Sequence, residues 1–162
     1  MAQGTLADII TATFTALEQS SLGAAARGSA WLYPLANLSH VLGAALLVGA
    51  IATFDIQVLR RAGNVGVIAR AVTPLAAFGL ALQVASGAVL LAADAMPVVV
   101  NPAFQFKMAM LALGLINVAV FRWRFGGGLR TEAPLGGGAW LAAVSLASWL
   151  LVLLAGRFIA YV

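Results

Sequence analysis

Two ionisable side chains stand inside apolar stretches of this 162-residue chain: His40 and Lys107, its single histidine and its single lysine. Placing such a group in hydrocarbon is costly, so each marks a candidate site. A neutral imidazole beside a second nitrogen or a thioether is the donor set that a b-type haem takes on its iron, and helix bundles build such sites from facing helices. His40 is therefore the candidate metal ligand, with Lys107 or the adjoining Met108 as sixth ligand or supporting donor. Asn37 and Asp55, eighteen residues and five helical turns apart, are expected to share an inward stripe with His40 close to it, and Arg157, with Arg27, Trp31 and Tyr33, is available to the propionates at the cofactor's edge. His40, Lys107, Met108, Asn37 and Arg157 form the candidate cofactor site, and no residue is singled out as catalytic. Plainer readings stand beside these. A membrane histidine commonly hydrogen-bonds a neighbouring helix, and a shallow lysine snorkels to the interface.

These residues need elements that bring them to one depth. Of the chain, 63% is hydrophobic and only 9% charged, more apolar surface than a soluble domain of this size hides in one core. Charges divide the sequence into uncharged runs at 28–54, 71–93 and 133–156, and a fourth stretch at 102–121 is broken only by Lys107. Each approaches the roughly 20 residues that cross a bilayer. The expected fold is all-α and integral to the membrane: one domain over 1–162, a four-helix transmembrane bundle with spans at about 31–59, 70–93, 102–123 and 138–158. Entering the membrane near Pro34 and Ala103, the first and third spans place His40 and Lys107 roughly 6 to 9 Å below the same surface, at about 1.5 Å per residue.

Charge sets the orientation. Arg60, Arg61, Arg70, Arg122, Arg124 and Arg130, six of the nine basic residues, fall in the two connections on one side, against the single acid Glu132. This predicts a multi-pass membrane protein with those connections cytoplasmic and both termini outside. The net charge of +4 is thus spread as a topology signal, with no basic face for nucleic acid. There are no cysteines, which excludes disulfides and thiolate metal sites. The N-terminal segment lacks the basic start of a cleavable signal and is expected to be retained.

Within this frame, residues 5–20 pattern as a short amphipathic interfacial helix, opened by a Thr5–Asp8 capping box and stopped by Ser20, Ser21 and Gly23. Gly126–Gly128 and Gly136–Gly138 bracket an expected flexible loop between spans three and four. Small residues such as Gly43, Gly79, Gly87, Gly114, Ser145 and Ser148 predict close helix packing. Asp55, one turn from Arg60 and Arg61, reads first as an interfacial ion pair and second as a proton relay.

The stretch from His40 to Gly49 (HVLGAALLVG), followed by Asp55 and Arg60, resembles the first helix of small bacterial membrane proteins related to the HemJ-type protoporphyrinogen oxidases and the CopD-type copper-resistance domain. Ser86-Gly87 with Leu90-Leu91, then Phe104 to Lys107 and the run to Asn117, is similar to their second and third helices, so that the resemblance covers roughly residues 34–124. It is nearer to a four-helix branch than to HemJ itself, whose additional histidines are lacking here. In the HemJ-type proteins a first-helix histidine binds haem b with a third-helix lysine beside it, and the resemblance extends that pattern to His40 and Lys107 only.

The first expectation is a haem b-binding membrane protein that passes electrons between a quinone or porphyrin in the lipid bilayer and an outer partner, an oxidoreductase of HemJ-like type if it is an enzyme. In a homo-oligomer, His40 of two copies would fill both axial positions. The alternative is a non-enzymatic small subunit or assembly factor of a larger membrane complex. A proton or copper transporter is a third reading. Copper has little support, because one histidine and four scattered methionines form no repeated motif that selects Cu(I).

Overall fold

Helix-forming signals act in sequence along the chain. The computed structural model describes residues 5–131 and 137–161, and within them it has seven helices and no strand. Helix α1 (Leu6–Glu18) opens on the expected capping box: Thr5 Oγ1 accepts from the Asp8 amide, and the Thr5 amide donates to Asp8 Oδ2 at 2.8 Å. Ser20 then does two things. Its hydroxyl donates to the Leu17 carbonyl at 2.6 Å and accepts from the Gly23 amide at 3.2 Å, closing α1 and starting α2 (Ser21–Gly28). The stop signal is thus borne out, and a second short helix follows where none was expected.

Four helices are long and apolar enough to cross a membrane: α3 (Leu32–Leu59), α4 (Val65–Ala93), α6 (Pro102–Thr131) and α7 (Gly138–Phe158). The short α5 (Ala95–Val100) joins α4 to α6. Helices α3 and α4 form one antiparallel pair and α6 and α7 another; α3 packs on α7, α4 only lightly touches α6, and α3 and α6 occupy a diagonal. This is an all-α membrane bundle.

Close approach follows from small residues at the crossings. A Cβ on Gly79 would stand 2.6 Å from the Leu47 amide, and one on Gly43 3.0 Å from the Gly79 carbonyl, so α3 and α4 meet backbone to backbone. Gly114 makes room for Trp149, the largest fully buried side chain, whose indole would lie 3.1 Å from a Cβ there. Gly49 faces open space and has no such role. Two apolar clusters fill the interior: Leu47, Val48 and Trp149 at mid-depth, and Val58, Val65, Phe121 and Ala142 toward the arginine-bearing face.

The opposite face, which carries the terminal helices, is closed by Arg27. Its guanidinium donates to the carbonyls of Ala92 (3.3 Å) and Ala93 (2.9 Å) at the end of α4 and to that of Glu18 (2.8 Å) at the end of α1. Helix C-terminal carbonyls lack intrahelical donors, and this one side chain serves two helices. Glu18 Oε2 accepts from the Met96 amide at 2.9 Å, tying α1 to α5. Arg27 is therefore engaged with carbonyls and does not stand free for a cofactor's carboxylates.

Three sequence expectations are corrected. Gly126–Gly128 do not form a loop: α6 runs through them to Thr131, held by Phe125 and Leu129 packing on the Val58–Phe121 cluster, which outweighs a helix penalty of about 1 kcal/mol per glycine. Of the second glycine run, Gly136 lies outside the described residues, as does Glu132, while Gly137 adopts φ 82° and immediately precedes α7. Asn37 and Asp55 do not share a buried stripe: Asn37 is exposed and Asp55 is buried. A straight helix drifts about 20° per heptad against a supercoiled seam, roughly 50° over the 18 residues between them, enough to carry Asn37 off the packed side. The third correction is Asp55 itself, which forms no ion pair with Arg60 or Arg61 among the described contacts; its carboxyl turns inward beside Ser145 on α7.

Candidate functional site

Near the terminal face the bundle axis is polar. His40 projects from α3, Ser86 and Gln83 from α4, and Lys107 from α6, while Gly156 of α7 lies against the lysine. The equal depth expected for His40 and Lys107 is realised: Lys107 Nζ lies 3.3 Å from His40 Nε2. Both side chains are partly buried, and the lysine points across the bundle where snorkelling would have taken it to the interface.

Hydrogen-bond accounting fixes the imidazole tautomer. Ser86 Oγ donates to the Leu82 carbonyl of its own helix at 2.5 Å, so its lone pair is what faces His40 Nδ1 at 2.9 Å. Nδ1 therefore carries the proton and donates to Ser86, leaving the Nε2 lone pair to accept from the Lys107 ammonium. Gln83 Nε2 donates to the His40 main-chain carbonyl, fastening α4 to α3 beside the ring. Gly87 completes the wall: a Cβ there would stand 3.2 Å from His40 Cε1. A Cβ added at Gly156 would lie 3.5 Å from Lys107 Nζ, an ordinary contact, so of the two glycines only Gly87 is closely held by its neighbour.

The other sequence candidates lie outside this centre. Met108 is 44% exposed and on the outward side of α6. Asn37 is exposed one turn outward on α3. Arg157 is exposed at the end of α7, its guanidinium donating to the Tyr161 hydroxyl and stacked 4.7 Å from the Tyr161 ring centroid. Conversely, Ser86 entered the sequence reading within the Ser86-Gly87 resemblance, with no role in the site, and Gln83 did not enter it. The signal that could have found both is position: they fall on the face of α4 that carries Gly79 and Gly87.

Among the described residues no three His, Cys, Asp or Glu side chains converge, so a metal held entirely by such protein ligands is not built here. Haem differs, because its porphyrin supplies four nitrogens and the protein needs to add one or two. The donor set fits one axial position: a neutral imidazole with Nδ1 anchored and Nε2 presenting its lone pair is the orientation that metal-ligating histidines take. It does not fit Lys107 as the ligand opposite. Two metal–nitrogen bonds of about 2.0 Å would hold the nitrogens roughly 4 Å apart, and 3.3 Å is a hydrogen bond.

Comparison with protein-family models, with curated proteins and with solved structures yields no match for this chain.

Proposed function

We propose that this chain is a haem b-binding membrane protein that passes electrons at its terminal face, in which His40 Nε2 would hold the iron. The observation that carries this reading is the Ser86 hydroxyl on His40 Nδ1, which orients the single imidazole of the sequence so that Nε2 would take the iron once Lys107 Nζ, 3.3 Å away, moves off it. Bound haem would supply one-electron redox chemistry. The protein's residues do the rest. Ser86 fixes the ring, Gln83 holds the backbone behind it, and Lys107 supplies a positive charge beside the donor nitrogen that balances an anionic group brought into the bundle. Arg157, exposed at the same end, suits the carboxylates at the cofactor's edge.

Energetics favour a functional over a structural role for the pair. An interhelical hydrogen bond in a membrane averages about 0.6 kcal/mol, whereas a lysine costs about 2.5–3.5 kcal/mol at the bilayer centre and a smaller amount at the shallower depth of Lys107. The hydrogen bond to His40 is small beside the cost of turning the lysine inward, away from the interface it could reach. The redox partner in this reading is a quinone or porphyrin in the bilayer, and the location is a bacterial inner membrane with the arginine-bearing connections cytoplasmic. An absorbance spectrum of protein purified from haem-replete cells tests the reading: a Soret band lost in His40→Ala supports it, and a colourless preparation contradicts it.

A second reading, a non-enzymatic subunit of a larger membrane complex, draws on the shallow apolar groove between α6 and α7 lined by Ala103, Phe106, Leu151, Leu154, Ala155 and Phe158. A colourless protein that copurifies with a larger membrane assembly would favour it.

A further inference from the structure

From mid-depth toward the arginine-bearing end of the bundle, two buried polar atoms have no partner among the described residues. Asp55 is 2% exposed and its Oδ2 accepts no hydrogen bond; Trp149 is 1% exposed and its Nε1–H donates none. Burying a polar group unpaired costs roughly 1–3 kcal/mol, and native structures leave few such groups without a reason. Asp55 and Trp149 are both lining residues of one cavity of about 240 Å³ among α3, α4, α6 and α7, the two orphan atoms lying buried at its wall, and the rest of the wall is mainly apolar side chains that include the edge-to-face pair Phe54 and Phe121, their centroids 5.3 Å apart. Its exposed lining residues Thr73, Ala77, Leu115 and Arg122 belong to α4 and α6, the two neighbouring helices that touch least. The mouth therefore opens sideways, toward lipid.

The two orphans are complementary in kind and separated along the bundle. One is an acceptor and the other a donor. Ser145, beside the Asp55 carboxyl, and Trp149 are one turn apart on α7, about 6 Å in height. An occupant satisfying both has a hydroxyl at one end, an oxygen acceptor at the other and an apolar ring between, and it arrives through the bilayer. We infer that this cavity binds a lipophilic para-oxygenated phenol from the membrane, its hydroxyl donating to Asp55 Oδ2 and its second oxygen accepting from Trp149 Nε1–H. The site is remote from His40 and stands whether or not the chain binds haem.

Trp149 is also the reporter. Trp31, Trp123 and Trp140 are 75%, 85% and 74% exposed and serve as internal controls for nonspecific partitioning. The experiment titrates 4-(octyloxy)phenol, and separately octyloxybenzene, into the detergent-solubilised ¹⁵N-labelled protein while following the indole N–H resonances, with Trp149→Phe identifying the Trp149 signal. The expected result is a saturable shift of the Trp149 resonance with the phenol only. Asp55→Leu, which keeps the volume and removes the acceptor, is expected to weaken phenol binding roughly tenfold or more. Ala77→Phe, which fills the mouth and leaves Asp55 in place, is expected to abolish the shift and covers the case in which Asp55→Leu does not fold. Equal shifts of all four indoles, an equal response to octyloxybenzene, or unchanged phenol affinity in either variant would overturn the inference.

Discussion

His40 on α3 and Lys107 on α6 meet at 3.3 Å across the diagonal of the bundle, although these two helices share no close backbone approach among the described residues. Only the reach of the two side chains joins them. The contact divides the bundle into a polar centre near the terminal face and, beyond the Trp149 layer, the Asp55 cavity near the arginines.

Two variants separate the positioning of His40 from its ligation. Ser86→Ala removes the acceptor of His40 Nδ1–H and should lower haem retention by roughly 10- to 100-fold, the usual effect of losing the group that orients a metal-bound histidine. Lys107→Met should keep haem bound but shift the Soret position, since the charge beside Nε2 is gone. Spectra and haem-to-protein ratios in one detergent check both. Wild-type spectra and ratios in both variants would detach these residues from the cofactor.

Acid should loosen α1. The Asp8 carboxyl sits below its ordinary value of 3.8, because the Thr5 hydroxyl and amide both donate to it. A depressed carboxylate contributes stability that is fully present above the ordinary value and fades as pH falls through the lower one. Amide protection, measured as the exchange rate relative to that of the unstructured chain at the same pH, should therefore fall selectively over Leu6–Glu18 below about pH 4, with α2 lagging behind, and Asp8→Asn should remove that selective fall. Uniform exchange across both helices would show that the capping box does not hold α1.

Arg61 should be a site of gain. It takes φ 54° at the end of α3, where the Ala62 amide donates to the Gln57 carbonyl and the Arg61 amide to the Val58 carbonyl, both at 3.1 Å. That pattern favours glycine at the left-handed position, and a side chain there costs about 1 kcal/mol. Arg61→Gly should raise the thermal midpoint by a few degrees in the same detergent, read by circular dichroism. A lowered midpoint would mean that the arginine side chain contributes more than its backbone costs.

Topology follows from the same arginines. A reporter fused after Val162 should behave as periplasmic, because the α3–α4 and α6–α7 connections carry the basic residues. A reporter active there only in the cytoplasm would invert the orientation on which an outer redox partner rests.

Much of this architecture is legible in the sequence, because hydrocarbon imposes length and composition on a spanning helix. The first and last spans begin and end within a residue of their expected bounds, and α4 starts earlier, at Val65, because Val65 and Gly66 are buried against the bundle. His40 and Lys107 were readable as a pair from depth alone. What stayed hidden depends on rotation and side-chain reach. A helix of alanine and leucine gives no moment to orient it, so nothing told Ser86 from Ser148, or placed Met108 outward while Lys107 turned in. Asp55 misled by its nearness in sequence to Arg60 and Arg61; its side chain points into the bundle, and theirs lie beyond the helix end. Gly126–Gly128 misled because the packing of Phe125 and Leu129, which sequence does not show, keeps the helix intact.

The most direct test of the haem reading is the visible spectrum of the full chain, purified in mild detergent from haem-replete cells, beside His40→Ala prepared in the same way. The expected result is a Soret band with near-stoichiometric haem in the wild type, and its loss in His40→Ala while the helical circular dichroism and elution volume stay unchanged. Stoichiometric haem in His40→Ala, or a colourless wild type, would contradict ligation by His40 and with it the redox function proposed for this bundle.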